Sequence, residues 1–97
     1  MTNVDLVQLT EQTKKLSAMI VEDEIETNAL LVSNFKNFFS SVNATFNAKD
    51  ALETYKKDTP DVVFIDIMMP GIDGIELAKQ IREIDSKQII IVVSASN

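Results

Sequence analysis

The stretch Asp61-Val62-Val63-Phe64-Ile65-Asp66-Ile67-Met68-Met69-Pro70-Gly71 constrains this chain more than any other. It opens as a short apolar run rich in β-branched and aromatic residues, reaches an aspartate, and breaks at Pro-Gly. A short apolar run closed by turn residues reads as a strand buried on both faces. Near-continuous rather than alternating apolarity is the pattern of a parallel strand covered on both sides. Asp66 stands where that strand emerges, and open α/β sheets bind ligands outside the carboxyl ends of their strands.

The flanking segments repeat the theme. Ser17-Ala18-Met19-Ile20-Val21 is a first strand running straight into Glu22-Asp23-Glu24. Over residues 25–39 the apolar positions Ile25, Ala29, Val32, Phe35 and Phe39 recur at helical spacing, with Asp23 or Glu24 at the start, where carboxylates favour the positive end of a helix. Residues 42–46 alternate and read as a short edge strand. Ala48, Ala51, Leu52 and Tyr55 mark a second helix ending near Lys56-Lys57. Asp73 and Glu76 resemble a capping box opening a third helix along Ile75, Ala78, Ile81 and Ile84. Asp85-Ser86-Lys87 is a turn, and Ile89-Ile90-Ile91-Val92-Val93 a last buried strand before Ser94-Ala95-Ser96-Asn97. Alternating strands and helices joined by short loops predict a doubly wound α/β fold, a parallel sheet with helices on both faces. Residues 1–16 form a separate lead-in, either a short amphipathic helix with Leu6, Leu9 and Leu16 on one face or a loose segment. Residues 17–97 form the domain, and 97 residues suffice for one domain only.

Composition narrows the chemistry. The chain has no cysteine and no histidine, which excludes thiolate metal sites, disulfides, thiol catalysis and a Ser-His nucleophile pair. Fifteen acidic residues against nine basic ones give a net charge of −6, which argues against a nucleic-acid-binding surface. No apolar run approaches a membrane span and no signal pattern opens the chain, so the expected location is the cytoplasm. The two glycines, Gly71 and Gly74, form no phosphate-cradling loop. What remains is oxygen chemistry at the strand ends: Glu22-Asp23, Asp66 and Ser94. Asp23 alone is more often a helix cap than a ligand, and Ser94 alone most often a strand-end hydroxyl. Brought together, these carboxylates would repel and rise in pKa unless a hard cation, Mg²⁺ or Mn²⁺, sat between them.

These residues resemble the receiver domain of bacterial response regulators in two-component signalling. The resemblance rests on the strand into Glu22-Asp23, on residues 62–74 around Asp66, and on Ile89-Ile90-Ile91-Val92-Val93-Ser94-Ala95, and it covers residues 17–95. It implies a flavodoxin-like sheet of strand order 2-1-3-4. It also implies that Asp66 accepts a phosphoryl group from a sensor histidine kinase, a phosphotransfer protein or a small phosphodonor. Asp23 would ligate Mg²⁺ directly, Glu22 through water, and Met68 through its backbone carbonyl. Ser94 would hydrogen-bond a phosphoryl oxygen, and Ala95 would leave room for it. A phosphoacceptor of this kind assists its own transfer without being a turnover enzyme.

The chain departs from the family's pattern by ending before the usual fourth helix, fifth strand and fifth helix, and with them the lysine that pairs with the phosphoryl group. The expectation is therefore a truncated receiver with impaired phosphorylation, whose strand Ile89–Val93 forms a homodimer edge. The alternative function is a non-phosphorylated receiver-fold interaction or dimerisation module. A small aspartyl phosphatase with two aspartates two residues apart is disfavoured, because position 68 is methionine.

Overall fold

The computed structural model describes residues 14–66 and 74–93. Seven elements follow in the order β1 (Ser17–Val21), α1 (Ile25–Phe35), β2 (Ser41–Thr45), α2 (Ala48–Lys57), β3 (Val62–Asp66), α3 (Gly74–Ile84) and β4 (Ile89–Val93). The four strands form one sheet of order β2-β1-β3-β4, and every pairing is parallel. This is the doubly wound, flavodoxin-like arrangement that the sequence predicts. The helix foreseen within residues 1–16 and the capping aspartate Asp73 lie outside the described residues, apart from residues 14–16, which form a turn and coil entering β1.

The pleat sorts side chains between the two faces. Met19 and Val21 of β1 and Val63 and Ile65 of β3 point to one side, where Ala51 and Tyr55 of α2 and Leu77 and Ile81 of α3 close over them. All eight are essentially inaccessible, and this cluster is the core. On the other face α1 packs its Phe35 ring against Phe64 of β3, with centroids 4.5 Å apart, and Phe39 sits 5.9 Å from both rings. Tilted and edge-on pairs of this kind add to simple area burial.

Three details differ from the sequence reading. First, α1 stops at Phe35 rather than running to residue 39. The amides of Asn37 and Phe38 turn back to the carbonyls of Asn34 and Phe35, tightening the last turn. The turn swings Phe39 onto Phe64 instead of continuing the helix. Second, the inward line of α1 departs from the predicted one in its first half. Ile25 is 74% exposed and Ala29 is exposed, whereas Asn28 is 1% exposed, and Leu31 follows it on the inner side with the predicted Val32 and Phe35 half-buried. An apolar count cannot find a face that opens on a polar residue. The edge strand β2 is also displaced by one residue from its predicted bounds, to Ser41–Thr45.

Register is what positions the site. At its lower end the β1–β3 pair is pinned by Asp61, whose carboxylate accepts the Ser17 amide at 2.8 Å, while the Asp61 amide donates to the Ser17 carbonyl at 3.0 Å. From there the strands run in step, Ala18 beside Val62 up to Val21 beside Ile65. The next residue on each chain is Glu22 and Asp66. The start of β4 is fixed similarly. Gln88 accepts the Tyr55 hydroxyl at 2.8 Å, donates to the Asp61 carbonyl at 3.0 Å, and its own carbonyl accepts from Arg82. Asn47 caps α2 by accepting the Asp50 amide at 2.8 Å.

Candidate functional site

At the carboxyl end of the sheet, β1 and β3 deliver Glu22 and Asp66 to the same place. Glu22 is almost fully buried, while Asp23 and Asp66 are half-buried. An apolar cavity of about 150 Å³, lined by Ile20, Leu31, Phe35 and Phe64 among others, lies behind the two acids. It explains why Glu22 is poorly hydrated. Burial is the largest influence on its carboxyl group, followed by a hydrogen bond with the Asp66 side chain. A hydrogen bond with Asp23 and the charge of Asp66 push in the same direction. Against them stands the Glu24 amide, which donates to Glu22 Oε2 at 2.9 Å. The sum pushes Glu22 up to about 7 from an ordinary 4.5. Without a cation, burial and the neighbouring carboxylates favour the protonated form of Glu22.

The sequence left Asp23 open between capping and ligation. Glu24, not Asp23, occupies the N-cap position of α1, with extended backbone and no side-chain cap of its own. Its carboxylate instead accepts the Thr27 hydroxyl at 2.9 Å. Asp23 is thus relieved of capping and stands beside Glu22. The remaining predicted site residues, Met68, Ser94 and Ala95, lie outside the described residues.

The loop carrying Glu22 is tied down by a residue that no sequence signal marks. Asn28 of α1 donates through Nδ2 to the Glu22 carbonyl at 2.9 Å and to the Thr45 carbonyl at 3.0 Å. The Glu22 amide donates to the same Thr45 carbonyl at 3.1 Å, and the Thr45 hydroxyl donates to Ile20 at 2.7 Å. Every buried side-chain polar atom among the described residues has a partner.

The donor set is all oxygen and all acidic, which suits a hard divalent cation. Among the described residues no three acidic side chains close into a ready-made cage. The fit is instead to a cation such as Mg²⁺, which keeps several waters and takes one or two carboxylates. A positive ion beside Glu22 would oppose its raised pKa and favour the ionised carboxylate.

This gives a prediction with a definite sign. Glu22 holds its proton more tightly folded than unfolded, so its contribution to stability is fully present below about 4.5 and is lost as pH rises through about 7. At about 1.4 kcal/mol per pKa unit, the loss approaches 3 kcal/mol. In metal-free buffer the stability of the native chain relative to Glu22→Gln therefore falls by about that much between pH 4.5 and 8. Denaturant titrations of both proteins across this range check it, and a constant difference would contradict the raised Glu22.

Comparison with known proteins follows the same lines. The pattern of the family described as response regulator receiver domain matches residues 18–97. The chemotaxis protein CheY of Bacillus subtilis is 45% identical over 60 residues, an alignment covering 62% of this chain and 50% of that protein. The chain thus spans about half the length of that curated relative. Among solved structures, response regulator protein TrrA from Thermotoga maritima in complex with Mg²⁺-BeF superposes with a TM-score of 0.78 at 28% identity, covering 86% of this chain and 72% of that one. The complex of histidine kinase ThkA with TrrA gives 0.76 at 28% identity, with coverage of 86% and 72%.

Proposed function

The chain belongs to the response regulator receiver domain family, and from that premise we propose that it accepts a phosphoryl group on Asp66 in a Mg²⁺-dependent reaction with a sensor histidine kinase or phosphotransfer protein. The observation that carries this reading is the meeting of Asp66 with the buried Glu22 at the end of the β1–β3 pair. The Mg²⁺ and kinase complexes formed by TrrA support it.

In the proposed transfer an Asp66 carboxylate oxygen bonds to phosphorus as the phosphorus–nitrogen bond of a phosphohistidine breaks. The electron pair of that bond stays on the imidazole nitrogen, which takes a proton from solvent. An ionised carboxylate needs no base to activate it, consistent with a chain that has no histidine. Glu22 and Asp23 would hold Mg²⁺ together with Asp66, and Met68 would add its backbone carbonyl. When bound, Mg²⁺ supplies charge neutralisation for the transferring group. Glu22 would stand beside Asp66 with its carboxyl group ionised once the cation is bound. Ser94 would donate to a phosphoryl oxygen, with the small Ala95 beside it. Intact-mass analysis after incubation with Mg²⁺ and acetyl phosphate tests the reading: one phosphoryl-sized gain supports it, and an unchanged mass overturns it.

A second reading, assembly through the sheet edge, is favoured by the surface of β4. Among the described residues this strand has a neighbour on one side only, and Ile89, Ile91 and Val92 are between 40% and 56% exposed. The opposite edge, β2, is polar by comparison, Ser-Val-Asn-Ala-Thr. A long apolar edge seeks a partner. The 97-residue chain is therefore expected to self-associate through β4, a dimer at micromolar concentration in sedimentation analysis that Ile91→Lys returns to monomer. A native chain that stays monomeric throughout would contradict this.

A further inference from the structure

We infer that Asn28 is a positioning residue for the acidic pair, holding the Glu22 peptide so that its carboxyl group meets Asp66. This rests on the reading of Glu22, Asp23 and Asp66 as a cation-dependent site. Asn28 is 1% exposed and stands in the first turn of α1 at the start of its inner face, where the helix would otherwise bury an apolar side chain. Its Nδ2 spends both hydrogens on carbonyls of two different strand ends, Glu22 after β1 and Thr45 at the end of β2.

The Glu22 peptide unit is consequently gripped from both sides. Its amide hydrogen goes to Thr45 and its carbonyl oxygen is held by Asn28. With backbone rotation suppressed there, the Cα–Cβ bond of Glu22 is fixed in direction, on the side from which its carboxyl group reaches Asp66. The adjoining Glu24 amide then seats Glu22 Oε2 from the other side. An aspartate at position 28 has no hydrogen to donate, and a leucine fills the space but leaves the Glu22 carbonyl without this donor. Groups that orient a ligand from behind are felt strongly in metal affinity, typically about 10–100-fold.

The test is Mg²⁺ affinity measured calorimetrically on the whole chain, beside thermal midpoints. Asn28→Leu is expected to weaken Mg²⁺ by about 10-fold or more. Asn28→Ser, which keeps one shorter donor, falls between it and the native chain. Val63→Ala, a core truncation on the opposite face of the sheet, lowers the midpoint but binds Mg²⁺ like the native chain. That control separates positioning from general loss of stability. Where Asn28→Leu does not fold, Asn28→Ser decides. Folded Asn28 variants with native Mg²⁺ affinity overturn the inference while leaving the cation site intact. A native chain that binds no Mg²⁺ overturns the cation site, and the positioning role with it.

Discussion

Asp66→Asn should abolish phosphoryl acceptance and stabilise the protein in the same substitution. The neutral amide lacks the negative charge that makes the carboxylate oxygen a nucleophile. Labelling by a phosphodonor should fall by at least about 10³-fold, the scale on which losing a nucleophile is felt. The gain in stability follows from Glu22. Two of the influences raising its pKa, the hydrogen bond and the charge of Asp66, disappear with the carboxylate. Near pH 8 in metal-free buffer, where native Glu22 must ionise beside another carboxylate, the variant should therefore unfold at higher denaturant than the native chain. Intact-mass labelling and denaturant unfolding measure the two effects separately. An asparagine variant labelled at the native rate would move the acceptor to another residue. One that is labelled poorly and is also destabilised would mean that Asp66 supports the fold rather than straining it.

Ile65→Ala should have the largest effect on stability. Ile65 is wholly buried, one residue before Asp66, and packs in the cluster with Met19, Val21, Val63, Leu77 and Ile81. Truncation there loses transfer energy and leaves a cavity, about 3–4 kcal/mol by comparison with similar core sites. Against the 5–15 kcal/mol typical of a whole domain, that is a large share. At about 4–8 °C per kcal/mol for a chain of this size, the midpoint should drop by about 15–25 °C. Ile25→Ala, with the side chain 74% exposed on α1, should change stability by less than about 0.5 kcal/mol. Calorimetric scans of the pair check which face of each element is buried. Equal costs would overturn the assignment.

That contrast also shows where sequence reasoning reaches and where it stops. β1 and β3 are legible because a strand covered on both faces must be apolar along its length, and Glu22 and Asp66 stand at their ends. β4 is just as apolar and is found as a strand, but the expectation that it is buried fails, since Ile89, Ile91 and Val92 are exposed at the sheet edge. The convergence of Glu22 and Asp66 follows, since adjacent parallel strands deliver their ends to one edge. The pinning of register by Asp61 and Ser17 is not legible, because an exposed aspartate before a strand looks like any turn residue. Nor is the start of α1's inner face. Periodicity rewards Ile25 and Ala29, whereas the helix turns Asn28 inward for its hydrogen bonds to Glu22 and Thr45. The ranking of the two acids in β1's loop was also beyond the sequence. Burial of Glu22 over an apolar cavity, rather than its neighbour Asp23, is a three-dimensional fact.

Asp66, beside Glu22, is proposed as a cation-dependent phosphoacceptor. The most direct test is to locate the phosphoryl group chemically. The native chain is incubated with acetyl phosphate in Mg²⁺ or in chelator, then reduced with borohydride, which converts an acyl phosphate to an alcohol, and mapped by peptide mass spectrometry. The prediction is a single reduced aspartate, at position 66, formed in Mg²⁺ and absent in chelator. Reduction at another carboxylate, equal reduction without the cation, or none at all would contradict it.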